Sequence, residues 1–451
     1  MERCQINKKN IFTFGILFVS LIVFYLLALY ISAALPSEKI KANIKESAQI
    51  IEAQSDWSYP VFFNAGYPLS INYGTDAVMM NIIYNVDSQA PLKSVLSNKY
   101  TGAYDFYVCM PNLMATVNED APYEYNYARY WHGYIVFLRP LFNFFNYIEI
   151  SSINIFLFTL LAFLLIVCTA KKIGYWAAIT LGLSLIYINF WCIPLALTYL
   201  LTFYMVLISA LIILIFDIKK EITYLKLIFI IGSLTSFFDL STSPVVTLGI
   251  PLIFIVMKQE AYIRKQSFMQ VLLFLFKFAF CWGLGYALTW LMKPVIATVF
   301  IPDIISDFVQ QILFRMNGEG IYRDDFINEG GTGVNFFLYR IYAMYRNFKA
   351  MFFDLYTLPT LLISVLLFVN LLIFSKKNGI LSVFYTYVLI ACIPYAWYFI
   401  AANHSYMHPM FVYRIQMITV FSVLLAYRDV IDASKMKHKC LTIYKRMNVF
   451  K

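Results

Sequence analysis

The chain has 451 residues, 61% of them hydrophobic and 13% charged, with a formal net charge of +10. Soluble globular domains run at about 45–50% apolar and about 25% charged, which excludes an ordinary soluble enzyme. The excess of 35 Lys and Arg over 25 Asp and Glu is scattered over short loops, not gathered into the basic patch that a nucleic-acid binder would show. No nucleic-acid partner is implied.

In chain order, apolar runs of about 20 residues predict an all-α, polytopic transmembrane helical bundle of about ten spans. They cover approximately 11–34, 152–170, 174–193, 195–216, 227–241, 244–257, 268–291, 355–374, 379–401 and 410–427. The run from Ile11 to Ala34 exceeds the 7–15 apolar residues of a signal peptide, so it reads as a retained first helix. The fifth and sixth runs are short and separated by Ser241-Thr-Ser-Pro244. That pattern suits a broken or re-entrant pair lining a cavity.

The chain then divides into 1–34, a cytoplasmic N-terminus and first helix; 35–150, an extracytoplasmic loop; and 151–291, a transmembrane bundle. Next come 292–354, a second extracytoplasmic loop; 355–427, the C-terminal spans; and 428–451, a basic cytoplasmic tail. Orientation follows from the positive-inside rule. The side holding both termini collects twenty Lys and Arg against six Asp and Glu. Both termini are therefore expected in the cytoplasm of a cell-membrane protein. The first outward loop carries eleven carboxylates and seven basic groups, and Tyr130 to Tyr147 within it reads as an interfacial aromatic helix. In the second loop, residues 317–333 hold five glycines in an acidic run, a composition suited to a lid. No Gly-Lys-Ser/Thr follows, so it is not a phosphate loop. The seven cysteines form no CxxC pair, and neither a disulfide framework nor a zinc module is implied.

Four polar stretches stand out, all on the predicted outer side. Asn72-Tyr-Gly-Thr-Asp76-Ala offers Asp76 as a general base, whose pKa burial would raise toward neutrality. Tyr127-Ala-Arg129-Tyr130-Trp131-His132-Gly-Tyr combines a guanidinium with an imidazole. If helical, Arg129 and His132 share a face suited to a phosphate or a sugar edge. Tyr130 and Trp131 also fit an interfacial aromatic belt. Phe237-Phe-Asp239-Leu-Ser-Thr-Ser-Pro244 ends a short span on a carboxylate, which makes Asp239 a site candidate, while its hydroxyl neighbours also suit a helix cap. Asn403-His404-Ser-Tyr-Met-His408-Pro precedes Tyr413-Arg414. Two histidines four apart can grip a metal on a helix, but no nearby Glu completes a set, so no cofactor is expected, with a divalent metal kept as the alternative that the spacing does not support. Hydrogen-bonding histidines at a cavity mouth, with Arg414 as an anion partner, fit better. Lys277, within the seventh span, is expected to face protein or to snorkel inward.

A first helix, a long outward loop with carboxylates, many further helices and a second long outward loop together resemble the GT-C superfamily of membrane glycosyltransferases. The stretches at Arg129-Tyr-Trp-His-Gly-Tyr, Asp239-Leu-Ser-Thr-Ser-Pro and Asn403-His-Ser-Tyr-Met-His also resemble uncharacterised bacterial multi-pass proteins. The superfamily commonly carries an acidic pair or Asp-x-Asp soon after the first helix. Here Asp56, Asp76 and Asp87 are isolated, and Glu119-Asp120 comes late in the loop. The resemblance implies transfer of a sugar from a polyprenyl-phosphate donor to a cell-envelope glycan, lipid or protein on the outer face. Asp76, Asp239 and His132 would serve the chemistry, with Arg129, Tyr130, Trp131, Asn403, His404, His408 and Arg414 binding substrate. Membrane lipids and the polyprenyl-linked sugar are the partners; the sequence does not give the oligomeric state. A transporter or flippase of lipid-linked saccharide, or a non-catalytic envelope assembly factor, remain alternatives.

Overall fold

Long apolar runs force the backbone to satisfy its own hydrogen bonds, and helices do so within one segment. The computed structural model describes residues 8–53, 60–64, 67–70, 73–317, 336–353, 356–376, 381–432, 434–436 and 438–439. Among these, eight helical segments are long and apolar enough to cross a membrane. They are α1 (Lys8–Ala33), α7 (Tyr147–Lys172), α9 (Leu197–Ile215), α10 (Glu221–Phe238), α13 (Phe268–Ala297), α16 (Thr357–Phe374), the pair α17 (Ser382–Ala391) and α18 (Ile393–Ile400), and the stretch Pro409–Val430, which ends in α21 (Met417–Val430). The chain is an all-α multi-pass membrane protein.

Two of the ten expected spans fall short of the bilayer's thickness: 174–193, expected at 20 residues, and 244–257, which the sequence already made short. Helices α8 (Tyr175–Tyr187) and α11 (Val246–Lys258) have 13 residues each, about 20 Å at 1.5 Å per residue against about 30 Å of hydrocarbon. Every residue of α11 up to Met257 is buried. A helix surrounded by protein need not match the bilayer's thickness, and hydropathy cannot distinguish it from one facing lipid. Conversely α13 runs 30 residues, past the expected end at 291. It starts at a Ser267–Gln270 capping box and packs tightly on α10, where Gly232 abuts the backbone of Trp282 and Gly285 that of Phe229. Small residues at such crossings let helix backbones approach closely.

The segment between α1 and α7, expected as a long loop carrying an interfacial helix, is a packed layer. It contains α2 (Glu38–Ala53), α3 (Tyr73–Tyr84), α4 (Pro91–Ser97), α5 (Cys109–Val117) and α6 (Ile135–Phe142). Two antiparallel hairpins accompany them: β1 (Pro60–Asn64) with β2 (Tyr67–Ser70), and β3 (Lys99–Gly102) with β4 (Tyr123–Asn126). Ile40, Ile44, Ala48 and Ile51 line one face of α2 and join a core with Met80 and Ile83 of α3, Leu113 of α5 and Leu29 of α1. Helices this short show too little periodicity to stand out in the sequence. Tyr130 to Tyr147 is not one helix: a turn through Tyr134 precedes α6, and α7 begins at Tyr147.

Two buried cations tie this layer to the bundle. Arg139 donates through Nε to the Ser32 carbonyl at 3.0 Å, through Nη1 to Ile83 at 3.3 Å and through Nη2 to Leu35 at 2.7 Å. It thereby closes the C-terminal ends of α1 and α3. Lys293 near the end of α13 donates to the carbonyls of Val95 at 2.8 Å and Leu96 at 3.0 Å and to Asn98 Oδ1 at 2.7 Å, closing α4. Cations belong at helix C-termini, where carbonyls lack partners.

At the opposite end of the bundle, the connections after α11 and α16 meet the end of α21. Arg264 bridges Glu260 and Asp429 at 2.5 Å each, and Arg428 reaches Glu260 at 2.6 Å. Lys376 donates to the Asp429 carbonyl at 2.6 Å. Lys277 pairs with Glu221 at 3.3 Å. The layer end also receives α14 (Ile304–Asn317), α15 (Phe336–Phe352) and the short helix α19 (Ala402–Met407). The expected lid at 317–333 lies outside the described residues except for Asn317.

Candidate functional site

Where the layer, α14, α19 and the turn after α10 converge, they enclose a cavity of about 200 Å³. Thr75 and Val78 come from α3, Cys109 from the start of α5, Tyr127 and Arg129 from the turn after β4, and Leu240 and Thr242 from the turn after α10. The wall is completed by Gln311, Phe314 and Arg315 of α14, and by His404, Met407, His408 and Phe411. All four polar stretches thus contribute to one place, the first of them through Thr75 and not Asp76. Among the described residues its lining holds two guanidinium groups and no carboxylate.

Arg129 sits in a turn, not on the helix that would have aligned it with His132. Its guanidinium lies over the Tyr127 ring, 4.4 Å from the centroid, and Nη1 is 3.4 Å from Asp307 Oδ2. Its Nε is buried without a hydrogen-bond partner. Arg315 lies over the Tyr130 ring at 5.2 Å. Both charges are therefore held on aromatic faces, an arrangement that leaves donors free for an anion. Tyr130 serves as the platform for Arg315.

His404 Nε2 lies 2.8 Å from the Ser241 carbonyl. A carbonyl only accepts, so Nε2 carries the proton and Nδ1 the lone pair. Ser241 has φ of +67°, a left-handed conformation that is strained for a residue with a side chain. The His408 ring is 4.9 Å from that of His404 and stacks on Phe411 at 5.1 Å. Burial, reinforced by the Arg315 charge, pushes His404 well below the usual imidazole range and His408 down to about 4. Both rings are neutral at physiological pH. The two do sit side by side as their spacing implied, yet among the described residues no cluster of three His, Cys, Asp or Glu could hold a metal. Asn403 accepts from the Tyr339 hydroxyl at 2.7 Å and donates to the Phe314 carbonyl at 2.8 Å, so it locks α14 and α15 onto α19.

Asp239 immediately precedes the cavity-lining residues Leu240 and Thr242 and does not itself line the cavity. Its Oδ1 accepts from Thr202 Oγ1 at 2.8 Å, Thr242 Oγ1 at 2.5 Å and the Ser243 amide at 3.4 Å. Its Oδ2 is buried with no partner. A carboxylate oxygen so placed keeps a lone pair for a proton. On the other side of Asp239, Phe238 lines an apolar groove of about 310 Å³ with Leu141, Leu157, Leu201, Met205 and Ile208. Cavity and groove are one residue apart on either side of this carboxylate.

The remaining sequence candidates are engaged elsewhere. Asp76 is fully buried; it accepts from Tyr147 Oη at 2.7 Å, the amides of Leu197 and Thr198 at 2.9 and 3.0 Å, and Thr198 Oγ1 at 2.5 Å. It therefore caps the N-terminus of α9 from another part of the chain. Burial raises its pKa to about 6, against the opposing effect of those donors; both of its oxygens are taken up by these four bonds, and it does not line the cavity. His132, with φ of +52°, is clamped between Tyr127 O at 2.7 Å and Tyr134 Oη at 2.9 Å, and burial lowers its pKa to about 3. Trp131 donates to the Thr289 carbonyl at 2.7 Å and packs on Tyr25 and Phe237. Arg414 is buried between the rings of Tyr199 and Tyr413 at 4.4 and 4.9 Å, outside the cavity lining. Arg315 was missed because it falls in a segment read as loop. The signal was there: Ile304–Asn317 has apolar residues at helical spacing around a single cation. Compared with protein families, curated proteins and solved structures, the chain matches none.

Proposed function

We propose that the protein is a membrane glycosyltransferase that moves a sugar from a polyprenyl-phosphate donor to a cell-envelope acceptor at the extracytoplasmic face. The observation that carries this reading is the pairing of a cavity whose described lining holds two guanidinium groups and no carboxylate with an apolar groove, the residue before Asp239 lining the groove and the residue after it the cavity. A polyprenyl phosphate has one diffuse anion and one long hydrocarbon tail, and the two spaces suit the two parts. The basic end of the bundle faces the cytoplasm on this reading.

In the proposed step, Asp239 Oδ2 accepts the proton of an acceptor hydroxyl as that oxygen attacks the anomeric carbon. The bond between the anomeric carbon and the phosphate oxygen breaks, and its electron pair leaves with the polyprenyl phosphate. Arg129 and Arg315 neutralise the charge developing on that phosphate. Neutral His404 and His408 supply hydrogen-bonding groups without competing for the anion. Asp76 and His132 hold the scaffold and transfer no proton.

The test is release of polyprenyl phosphate by the purified protein in liposomes, given a panel of radiolabelled polyprenyl-phosphoryl hexoses and pentoses with a cell-envelope extract as acceptor. At least one donor is expected to turn over. Arg315→Ala should lower kcat/KM at least tenfold, and Asp239→Asn should lower kcat at least a hundredfold with normal protein yield. Movement of intact donors across the bilayer with no sugar released would overturn the reading in favour of a flippase.

A further inference from the structure

A second and larger cavity, about 530 Å³, lies in the layer between α2, α3 and α5. Its volume is within the range of about 300–1,000 Å³ typical of small-molecule sites. It shares walls with the cavity described above: Gly74 lines one and Thr75 the other, and Met110 lines one and Cys109 the other. Its electrostatics are opposite. Among the described lining residues are the carboxylates Glu52 and Asp120 and the amide of Asn118, with no Lys, Arg or His. Two tyrosines, the buried Tyr73 and the exposed Tyr104, also line it.

The elements that carry the lining are joined to one another by side-chain hydrogen bonds. Asn81 Nδ2 donates to the Thr101 carbonyl at 2.8 Å and to Thr116 Oγ1 at 2.9 Å, joining α3 to β3 and α5. The Tyr104 amide donates to Asn112 Oδ1 at 2.9 Å, and Asn112 Nδ2 donates to the Asp105 carbonyl at 2.9 Å. The loop carrying Tyr104 is thereby fixed to α5. Flat rings favour the apolar CH faces of a pyranose, and carboxylates and amides accept or donate to its hydroxyls. An anionic glycan would meet Glu52 and Asp120 with like charge.

We infer that this cavity binds an uncharged saccharide and is the acceptor subsite, set back to back with the phosphate-binding cavity. Its role as acceptor site rests on the transferase reading; saccharide binding does not. The test is equilibrium dialysis of the detergent-solubilised full chain against radiolabelled neutral tetrasaccharides (maltotetraose, cellotetraose, chitotetraose) and an anionic one of the same length, tetragalacturonate. At least one neutral probe is expected to bind at least tenfold more tightly than the anionic one. Tyr104→Ala should weaken that probe at least tenfold, and the double variant Glu52→Gln, Asp120→Asn should narrow the gap between neutral and anionic probes. Equal binding of all four probes, or neutral binding unmoved by either variant, would overturn the assignment. If donor turnover is found but no tetrasaccharide binds, the subsite is wrong and the transferase stands. If a tetrasaccharide binds as expected while every donor stays intact, the transferase reading alone fails.

Discussion

Asp76 and Asp239 are both buried carboxylates, and what separates them is where their lone pairs go. Asp76 meets four donors, two of them amides at the start of α9. Removing it would leave those two amides and Thr198 Oγ1 buried without that acceptor, at about 1–3 kcal/mol each, while Tyr147 Oη keeps the Leu195 carbonyl at 2.9 Å. Asp76→Ala is therefore expected to lower stability by about 3 kcal/mol or more, read as a lower melting temperature in detergent, whereas Asp239→Asn should melt close to wild type. The pH dependence has a defined sign. Burial raises the Asp76 pKa from 3.8 in the unfolded chain to about 6 in the folded one, so its contribution to stability is fully present below about pH 4 and is lost as pH rises through 6. The difference in melting temperature between wild type and Asp76→Asn should change across that window and be flat above it; a difference that changes only above pH 7 would contradict the assignment. In the sequence, Asp76, Asp239, Arg129 and the two histidines are all polar residues in an apolar chain, and that much was legible. The direction each side chain takes was not, because the partners of Asp76 lie about 120 residues away at a helix end that only the fold brings near.

Hydropathy located the apolar helices but not all of their lengths, because it measures composition and not what surrounds a helix. The short run at 244–257 was legible, and α11 matches it, buried by protein up to Met257, whereas the 20 residues expected at 174–193 hold a 13-residue α8. Helix α13 continues past the apolar run through Lys293, whose charge looks like a span's end until its three acceptors are seen. That lysine is the pin between α13 and α4. Lys293→Met keeps the apolar stem and removes the donor, leaving two helix-end carbonyls and Asn98 Oδ1 unsatisfied. About 3 kcal/mol of destabilisation is expected, seen as a lower melting temperature and as faster proteolysis at 87–99. Unchanged melting and cleavage would show that α4 is held by its apolar contacts alone. The short helices of the layer escaped the sequence for a related reason: α4, α5 and α6 have 7, 9 and 8 residues, too few turns for a 3.6-residue period to emerge from a background already rich in apolar side chains.

At the scale of the whole molecule, polar chemistry and basic charge occupy opposite ends. The ion pairs of Glu260, Arg264, Arg428 and Asp429 close one end, and both cavities open in the layer at the other. A lipid-linked donor is reached from one leaflet only, so the proposal depends on which end faces out. Cys109 reports on this directly, since it lines the wall between the two cavities and is half-buried. Burial pushes its thiol up to about 11, and the thiolate is the reactive form. Labelling by a membrane-impermeant maleimide should therefore be slow at pH 7 and rise about tenfold per pH unit as the thiolate fraction grows. In intact cells, a chain retaining only Cys109 is expected to label from outside, and one retaining only Cys440 is expected to label only after lysis. Polyprenyl phosphate added to the purified protein should slow Cys109 labelling, because the anion would sit against the same wall. Labelling of Cys440 but not Cys109 in intact cells would place both cavities in the cytoplasm and remove the extracytoplasmic donor from reach.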